Sequence, residues 1–207
     1  MNTVDTEFMA SLLNLKKKGD VAFSIIRSSL VYDARNIIAK EALEKDYDRL
    51  MMIDSDMVFD EDLFFRLSDD LDTGLSYVAA LFFYKQIPTR PVIYKGMLYD
   101  DTNERPTVKL DTYLNYPREQ VFEIAGSGMG AVMMTTDAIA TLVQNGENMP
   151  FSPIPGLGED VSFCLRMNKH GVKMHCDSRI KVDHIGKFAV GEQQYIKQVE
   201  AGVKPPM

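Results

Sequence analysis

The sequence contains few cysteines and no long apolar run, and these shortages exclude several classes of protein. Its two cysteines, Cys164 and Cys176, are too few for a disulfide scaffold or a four-cysteine zinc site. Both stand among apolar or mixed neighbours, so we expect buried free thiols. The longest apolar runs are far shorter than the roughly 20 residues that cross a bilayer, and the polar, acidic start does not resemble a secretory signal. We therefore expect a protein of the cytoplasm without a membrane span.

Basic residues are also in deficit. The chain carries 23 lysines and arginines against 30 aspartates and glutamates, a formal net charge of −7. Nucleic acids and anionic membranes bind to basic surfaces, so we expect neither as a general partner. The length of 207 residues, with 45% apolar and 26% charged residues, is typical of one globular domain, which we expect to span residues 1–207.

Predicted helices and strands alternate along the chain, which favours an α/β fold with a mainly parallel sheet and helices on both faces. Apolar residues at helical spacing and capping signals predict helices at 3–18, 33–46, 61–69, 135–143 and 159–171. Short runs rich in β-branched and aromatic residues predict strands at 21–26, 49–54, 74–83, 92–99, 121–134, 172–177 and 179–185. Residues 100–118 are polar, and we expect a surface excursion there.

The clearest chemical signal is LMMIDSDMVF at 50–59, an apolar strand that ends in Asp54 and Asp56. Ligands of open α/β sheets bind at the carboxyl ends of strands. Two carboxylates one residue apart can turn towards one hard cation, and oxygen ligands suit Mg²⁺ or Mn²⁺. The structural alternative is an acidic loop that caps the following helix, and for an isolated motif of this kind we weigh the two readings about equally.

Two further signals are weak when taken alone. Glu159 and Asp160 open a predicted helix after a glycine-rich loop, and acidic residues at a helix start commonly do no more than counter the helix dipole. His184 lies in a late strand, where a lone histidine is more often structural than a ligand. Its neutral imidazole would, however, complete a metal site with the two aspartates that follow strand 49–54. His170 and His175 lack such a setting.

A glycine-rich segment and an arginine complete the set of candidates. The segment GSGMGAVMM at 126–134 lacks the helix that must follow a dinucleotide-binding fingerprint, so a tight bulge or the wall of an acceptor pocket is the better interpretation. Arg35, near the start of the helix before strand 49–54, could meet a diphosphate. Pairing with a local carboxylate is an equally good interpretation of this arginine.

In their order along the chain these segments resemble the GT-A glycosyltransferases, and most closely the family-2-like members of bacteria and phages. The resemblance covers residues 34–186 and is carried by ARN, IDSDM, GSGMGAVMM, GEDVSFCLRMNKHG and VDHIG. It implies a GT-A fold with a Rossmann-like, mainly parallel sheet. It further implies transfer of a sugar from a nucleotide-diphosphate donor to a hydroxyl of a saccharide or another acceptor.

The same resemblance implies a divalent metal, Mn²⁺ or Mg²⁺, and a nucleotide-diphosphate sugar, with a UDP-sugar as the foremost donor. Asp54 would lie near the ribose or bind the metal, and Asp56 would bind the metal. His184 would complete the metal or diphosphate site. On the acceptor side, Asp160 matches the general base of inverting members, with Glu159 beside it.

Arg35 matches a position of the family pattern that lies near the nucleotide. Members of the family open with an apolar strand that grips the nucleotide base, whereas this sequence opens with a predicted helix. We therefore expect the first nucleotide-binding strand to be missing and residues 21–26 to be the second strand of the pattern. An open sheet edge would follow, and with it an apolar surface that favours a homodimer.

Two alternatives to an active transferase stay open. The first is a non-catalytic or truncated GT-A-like domain that binds a sugar, a nucleotide or a protein partner. The second is a haloacid-dehalogenase-like phosphatase, in which Asp54 would be the nucleophile. The second alternative fits less well, because a helix, a strand and another helix are predicted ahead of the strand that carries this aspartate.

Overall fold

The computed structural model of the protein describes residues 4–26, 28–100, 102, 107–186 and 189–203. The helices in this part of the chain are α1 (Thr6–Asn14), α2 (Val31–Glu44), α3 (Leu63–Asp72), α4 (Thr136–Gln144), α5 (Glu159–Lys169) and α6 (Glu192–Glu200). The five predicted helices are confirmed as α1 to α5, with ends that differ by a few residues. Two of them begin with a side-chain cap, since Asp5 accepts a hydrogen bond from the Glu7 amide at 2.9 Å and Thr135 accepts one from the Ala138 amide at 3.3 Å.

Strands in the described residues form three sheets. They are β1 (Arg49–Ile53), β2 (Met57–Val58), β3 (Tyr77–Leu81), β4 (Ile93–Asp100), β5 (Thr107–Thr112), β6 (Val121–Ile124), β7 (Gly126–Ser127), β8 (Ala131–Thr135), β9 (Met174–Lys181), β10 (Asp183–Ile185) and β11 (Ala189–Val190). The central sheet has the order β1-β8-β3-β9-β6, and the two smaller sheets have the orders β11-β10-β2 and β5-β4-β7. The expected surface excursion at 100–118 thus contains a strand, β5, which forms a hairpin with β4.

The α/β class is confirmed, but the described central sheet is mixed and mostly antiparallel instead of mainly parallel. Its parallel pair is β3 with β9, whereas β1 with β8, β8 with β3 and β6 with β9 are antiparallel. The reason is that β8 runs opposite to its neighbours β1 and β3, and β6 runs opposite to β9. A fully buried strand has the same apolar composition in either direction, so composition alone did not reveal this.

Helices cover both faces of the central sheet, as expected. Along β3 the side chains alternate between two apolar clusters: Tyr77, Ala79 and Leu81 belong to one cluster, and Val78 and Ala80 belong to the other. The first cluster also contains side chains from α2, α4, α5 and α6. The second contains side chains from α1 and α3. The sheet is therefore the middle layer of three.

The strand predicted at residues 21–26 was wrong. These residues adopt no regular secondary structure, and the side chains of Phe23 and Ile25 are 62% and 72% exposed. A β-branched and aromatic run forms a strand only when it finds a neighbour for its backbone hydrogen bonds. Strand β1 lies at one edge of the central sheet, and the described residues 21–26 do not pair with it.

The prediction that both cysteines are buried free thiols is confirmed. Cys164 and Cys176 are free and buried, and burial raises the pKa of the Cys164 thiol to about 12. None of the helices in the described ranges combines the length and apolar character needed to cross a membrane.

Away from the candidate site, two buried carboxyl groups face each other between α3 and β9. Asp70 and Asp177 are 8% and 2% exposed, and Arg179 lies 3.0 Å from the first and 2.9 Å from the second. Burial and the nearby Asp177 carboxylate raise the pKa of Asp70 to about 6. The pair therefore holds a proton over part of the acidic range in the folded protein.

This carboxyl pair makes the folding stability depend on pH. A raised pKa in the folded state means that the native protein holds a proton that the unfolded chain has lost, so stability falls as pH rises from about 4 to above 6. We expect a decline on the order of 1–2 kcal/mol from this pair. Urea unfolding at pH 4.5, 5.5 and 7 should show it, and Asp70→Asn should flatten the profile. An unchanged slope in that variant would assign the dependence to other groups.

Candidate functional site

The candidate site lies at the carboxyl ends of β1 and β3. Strands β1, β3 and β9 run in the same direction, because β8 is antiparallel to both β1 and β3 and β9 is parallel to β3. Asp54 follows β1 directly, and its amide donates to the Gly130 carbonyl at 2.9 Å. This bond extends the pairing of β1 towards the start of β8. The acidic end of β1 is therefore held in place by the sheet.

Arg35 joins three elements at this edge. Its side chain is 8% exposed, and its guanidinium donates to Asp54 Oδ1 at 2.9 Å and to Glu159 Oε1 at 2.8 Å. The arginine belongs to the second turn of α2, and the glutamate is the first residue of α5. Burial raises the pKa of Asp54, while the arginine opposes that rise. The pairing of Arg35 with carboxylates is thus what the structure shows, and these carboxylates lie 19 and 124 residues away in the sequence.

Asp56 faces a different pair of side chains. Its Oδ2 lies 3.2 Å from His184 Nε2 and 2.6 Å from Lys85 Nζ. Strand β10 brings the histidine here by pairing with β2, where His184 is opposite Met57. The hydrogen bond to His184 and the ammonium of Lys85 lower the pKa of Asp56 below its usual range. The carboxylate is accordingly ionised throughout the neutral range.

The orientation of the His184 ring shows what this pair can bind. Nδ1 lies 3.0 Å from the carbonyl oxygen of Phe83, which can only accept, so Nδ1 carries the proton in the neutral ring. In the neutral ring Nε2 therefore turns a lone pair towards Asp56 Oδ2, and a second proton on Nε2 makes the hydrogen bond that lowers the pKa of Asp56. Two acceptors at this separation need a proton or a cation beside them. A backbone carbonyl that anchors the distal ring nitrogen is also the usual support of a metal-binding histidine.

The three predicted metal ligands do not come together as one group. Asp56 and His184 are neighbours, but Asp54 is turned towards Arg35. Within the described ranges, no three histidine, cysteine or acidic side chains are close enough to hold a metal ion by themselves. The residues present fit a cation that takes two protein ligands and completes its shell with oxygens from a bound ligand or water.

Asp160 is set apart from these ion pairs. Its Oδ1 accepts a hydrogen bond from the Val161 amide at 2.7 Å, and no side-chain cation bonds to it within the described residues. Burial is the main cause that raises the pKa of Asp160, and the neighbouring Glu159 adds to the rise. A carboxylate with a raised pKa and no salt-bridge partner is suited to accept a proton.

The glycines at 126–130 allow close packing beside this carboxylate. A Cβ on Gly128 would lie 2.8 Å from the ring of Phe82, 2.9 Å from Val92 and 3.6 Å from Asp160 Oδ2. A Cβ on Gly130 would lie 2.9 Å from Met57. The segment turns between β7 and β8, in agreement with the interpretation as a tight irregularity in the sheet.

Four residues near the site were missed by the sequence analysis. Lys85 reaches Asp56, and the hydroxyls of Tyr84 and Tyr94 lie 2.8 Å apart, with the Arg90 guanidinium 4.8 Å from the Tyr84 ring. The Asp160 carboxylate is one of the groups that raise the pKa of Tyr94, after burial and the bond to Tyr84. The segment follows β3, so the rule that ligands bind beyond strand ends was a signal that could have singled it out.

Removal of the Arg35 side chain should destabilise the protein in a pH-dependent manner. Arg35→Met leaves Asp54 and Glu159 without their shared partner, and we expect a loss of about 2–3 kcal/mol of unfolding free energy. Without the arginine the pKa of Asp54 rises further, so the loss should be larger at pH 8 than at pH 5. Urea unfolding at both pH values measures the difference.

Lys40→Met is the matched control, because Lys40 lies on the same helix in an exposed pair with Glu44 at 3.6 Å. We expect it to change stability by less than about 0.5 kcal/mol. Equal losses in the Arg35 variant at both pH values would contradict the role given to the two carboxylates.

Comparisons with known proteins bear on the fold alone. No family model and no curated protein matches the sequence. Among solved structures, the chain is similar to A197 from STIV, with a TM-score of 0.55 and 22% identity over 81% of this chain and 75% of that one. It is less similar to apo UDP-glucose pyrophosphorylase, with a TM-score of 0.41 and 12% identity over 86% of this chain and 61% of that one. The first likeness concerns the fold, and the second is too low to carry an argument.

Proposed function

We propose that the chain is a GT-A-type glycosyltransferase that moves a sugar from a nucleotide-diphosphate donor to an acceptor hydroxyl with the help of a divalent cation. The observation that carries the proposal is the division of the site into two halves. One half holds Asp56 and His184 facing each other, and the other holds Asp160, to which no cationic side chain of the described residues bonds. Transfer of a sugar needs a cationic site for the leaving diphosphate and a separate base for the attacking hydroxyl.

Asp56 and His184 form the donor half in this proposal. They would hold Mn²⁺ or Mg²⁺, which neutralises the charge of the leaving diphosphate when it is bound. The carbonyl of Phe83 keeps His184 Nε2 free to face the cation. Asp54, which accepts a hydrogen bond from Arg35, would bind a ribose hydroxyl and not the metal. A UDP-sugar stays the foremost donor, on the resemblance described above.

Asp160 is the base in the acceptor half. Its raised pKa favours transfer of the acceptor proton to this carboxylate as the hydroxyl oxygen attacks the anomeric carbon. Glu159 does not act as a base in this proposal, because its carboxylate accepts a hydrogen bond from Arg35 at 2.8 Å. It acts as a positioning residue that fixes the start of α5, and so the direction of the next side chain. Gly128 keeps a side chain away from this carboxylate, since a Cβ there would lie 3.6 Å from Asp160 Oδ2.

A non-catalytic GT-A-like binding domain is the second candidate, and the edge position of β1 favours it. In the described part of the chain, no strand pairs with the outer side of β1, because residues 21–26 form no strand. The resemblance places a nucleotide-binding strand at that edge. The homodimer expected from this edge stays a prediction. No observation favours the phosphatase alternative, since Asp54, its nucleophile, is bonded to Arg35.

Asp56→Ala should abolish metal-dependent nucleotide binding. Calorimetric titration of UDP into the native protein should show binding with Mn²⁺ and a large loss with a chelator. The variant removes the ionised ligand of the cation, so its UDP affinity in Mn²⁺ should fall to the level of the chelated protein. Asp111→Ala, which removes an exposed carboxylate paired with Lys95 at 3.5 Å, is the control and should bind like the native protein. Normal binding by the Asp56 variant would refute the assignment of this residue.

Asp160→Asn should separate the two candidate functions. The variant keeps the shape of the side chain but cannot accept the proton, so we expect unchanged UDP binding and a loss of transfer of about 10²- to 10⁴-fold. Release of UDP from UDP-sugars in the presence of acceptor saccharides measures transfer. Glu159→Gln should lose less, because its partner is Arg35 and not the acceptor. Donor binding without any transfer by the native protein would favour the non-catalytic domain.

A further inference from the structure

Lys85 bonds to the Asp56 carboxylate, which would hold the proposed cation. Its ammonium lies 2.6 Å from Asp56 Oδ2, the same oxygen that faces His184 Nε2 at 3.2 Å. The lysine side chain is 50% exposed and the aspartate side chain 34%. An ammonium is a compact point charge and serves as counter-ion to a carboxylate without any further ligand.

Two other carboxylates of the site are balanced differently. Arg35 neutralises Asp54 and Glu159 from a buried position with two directed hydrogen bonds. Lys85 neutralises Asp56 from the solvent side, through one bond at the end of a flexible four-carbon chain. The arginine is therefore a permanent part of the site, whereas the lysine can leave it at little cost.

The segment that carries Lys85 is anchored on both sides. The amide of Tyr84 donates to the Arg90 carbonyl at 3.0 Å, and the hydroxyl of Thr89 donates to the Tyr84 carbonyl. The amide of Thr89 donates to the side chain of Gln198 on α6 at 2.7 Å. Residues 85–87 between these anchors are exposed. The Lys85 side chain can thus change partner by rotation, without a rearrangement of the backbone around it.

A divalent cation on Asp56 Oδ2 and an ammonium at 2.6 Å from the same oxygen repel each other strongly. We propose that Lys85 is an exchangeable counter-ion: it holds Asp56 in the absence of a divalent cation, is displaced when the cation binds, and then pairs with the diphosphate of the nucleotide. This inference rests on the proposed function. It makes the binding of cation and nucleotide mutually favourable, because the nucleotide provides the displaced ammonium with a new partner.

Calorimetric titration of Mn²⁺ without nucleotide tests the first half of the exchange. Lys85→Met removes the competitor for Asp56, and we expect it to bind Mn²⁺ about tenfold more tightly than the native protein. Lys85→Arg, which keeps the positive charge, should bind it as weakly as the native protein. Lys173→Met is the matched control, because its ammonium also lies 2.6 Å from a carboxylate, that of Glu123, and it should leave Mn²⁺ affinity unchanged.

Titration of UDP at saturating Mn²⁺ tests the second half. Without the lysine the diphosphate loses one cationic partner, so Lys85→Met should bind UDP about five- to tenfold more weakly than the native protein. The gain in Mn²⁺ affinity that UDP produces should also be smaller in this variant. Because both readouts are binding constants, they do not depend on knowledge of the acceptor.

The outcomes distinguish this proposal from the proposed function. A native protein that binds Mn²⁺ but not UDP would overturn the donor site, whereas the Mn²⁺ titrations of the variants would still decide whether Lys85 competes for Asp56. Equal or weaker Mn²⁺ binding by Lys85→Met would overturn the exchange even if UDP binds in a metal-dependent way. Failure of both proteins to bind Mn²⁺ would overturn it as well, since there would be no cation for the lysine to exchange with.

Discussion

The bridge from Arg35 to Asp54 and Glu159 is the interaction on which the candidate site depends. It connects the second turn of α2, the end of β1 and the first residue of α5, three elements that share no local sequence. The arginine is buried, so its charge requires both carboxylates, and each carboxylate accepts a hydrogen bond from it. The bridge also separates the roles of neighbouring acids. Asp54 and Glu159 are both bonded to Arg35, so in the proposed function Asp56 and Asp160 are the acids that face ligands.

The direction of the strands brings those two acids to one edge. Because β8 runs against both β1 and β3, the carboxyl ends of β1 and β3 lie beside the glycine-rich turn that precedes β8. Asp56 follows β1, and Asp160 stands at the start of α5. The glycines at 126–130 let the backbone between β7 and β8 pack closely against neighbouring side chains. A mostly antiparallel sheet can thus present the proposed ligand edge in the way that parallel sheets do, since what matters is which strand ends meet.

Helix α6, which was not predicted from the sequence, bonds to both chain segments that carry a partner of Asp56. Its Glu192 accepts bonds from Tyr116 and Arg118 and lies 2.8 Å from Lys181 at the end of β9, just ahead of His184. Its Gln198 accepts a hydrogen bond from the amide of Thr89, in the segment that carries Lys85. The backbone segments that carry the histidine and the lysine are therefore both supported by one helix.

The sequence by itself determined the local features of this protein: five of its helices, the apolar strands and the acidic residues that follow them, and the burial of both cysteines. These follow from periodicity, capping and composition, which act between neighbours in the chain. It also indicated Arg35, Asp54, Asp56, Glu159, Asp160 and His184 as candidates. The structure brings five of them into a group of three around Arg35 and a pair of Asp56 with His184, while Asp160 stands apart. Only the tertiary structure decided that β8 is antiparallel, that residues 21–26 stay unpaired, and that Lys85 reaches Asp56. Strand direction, strand pairing and the choice of ion-pair partner depend on which distant segments of the chain come into contact. The local composition of one sequence does not specify those contacts.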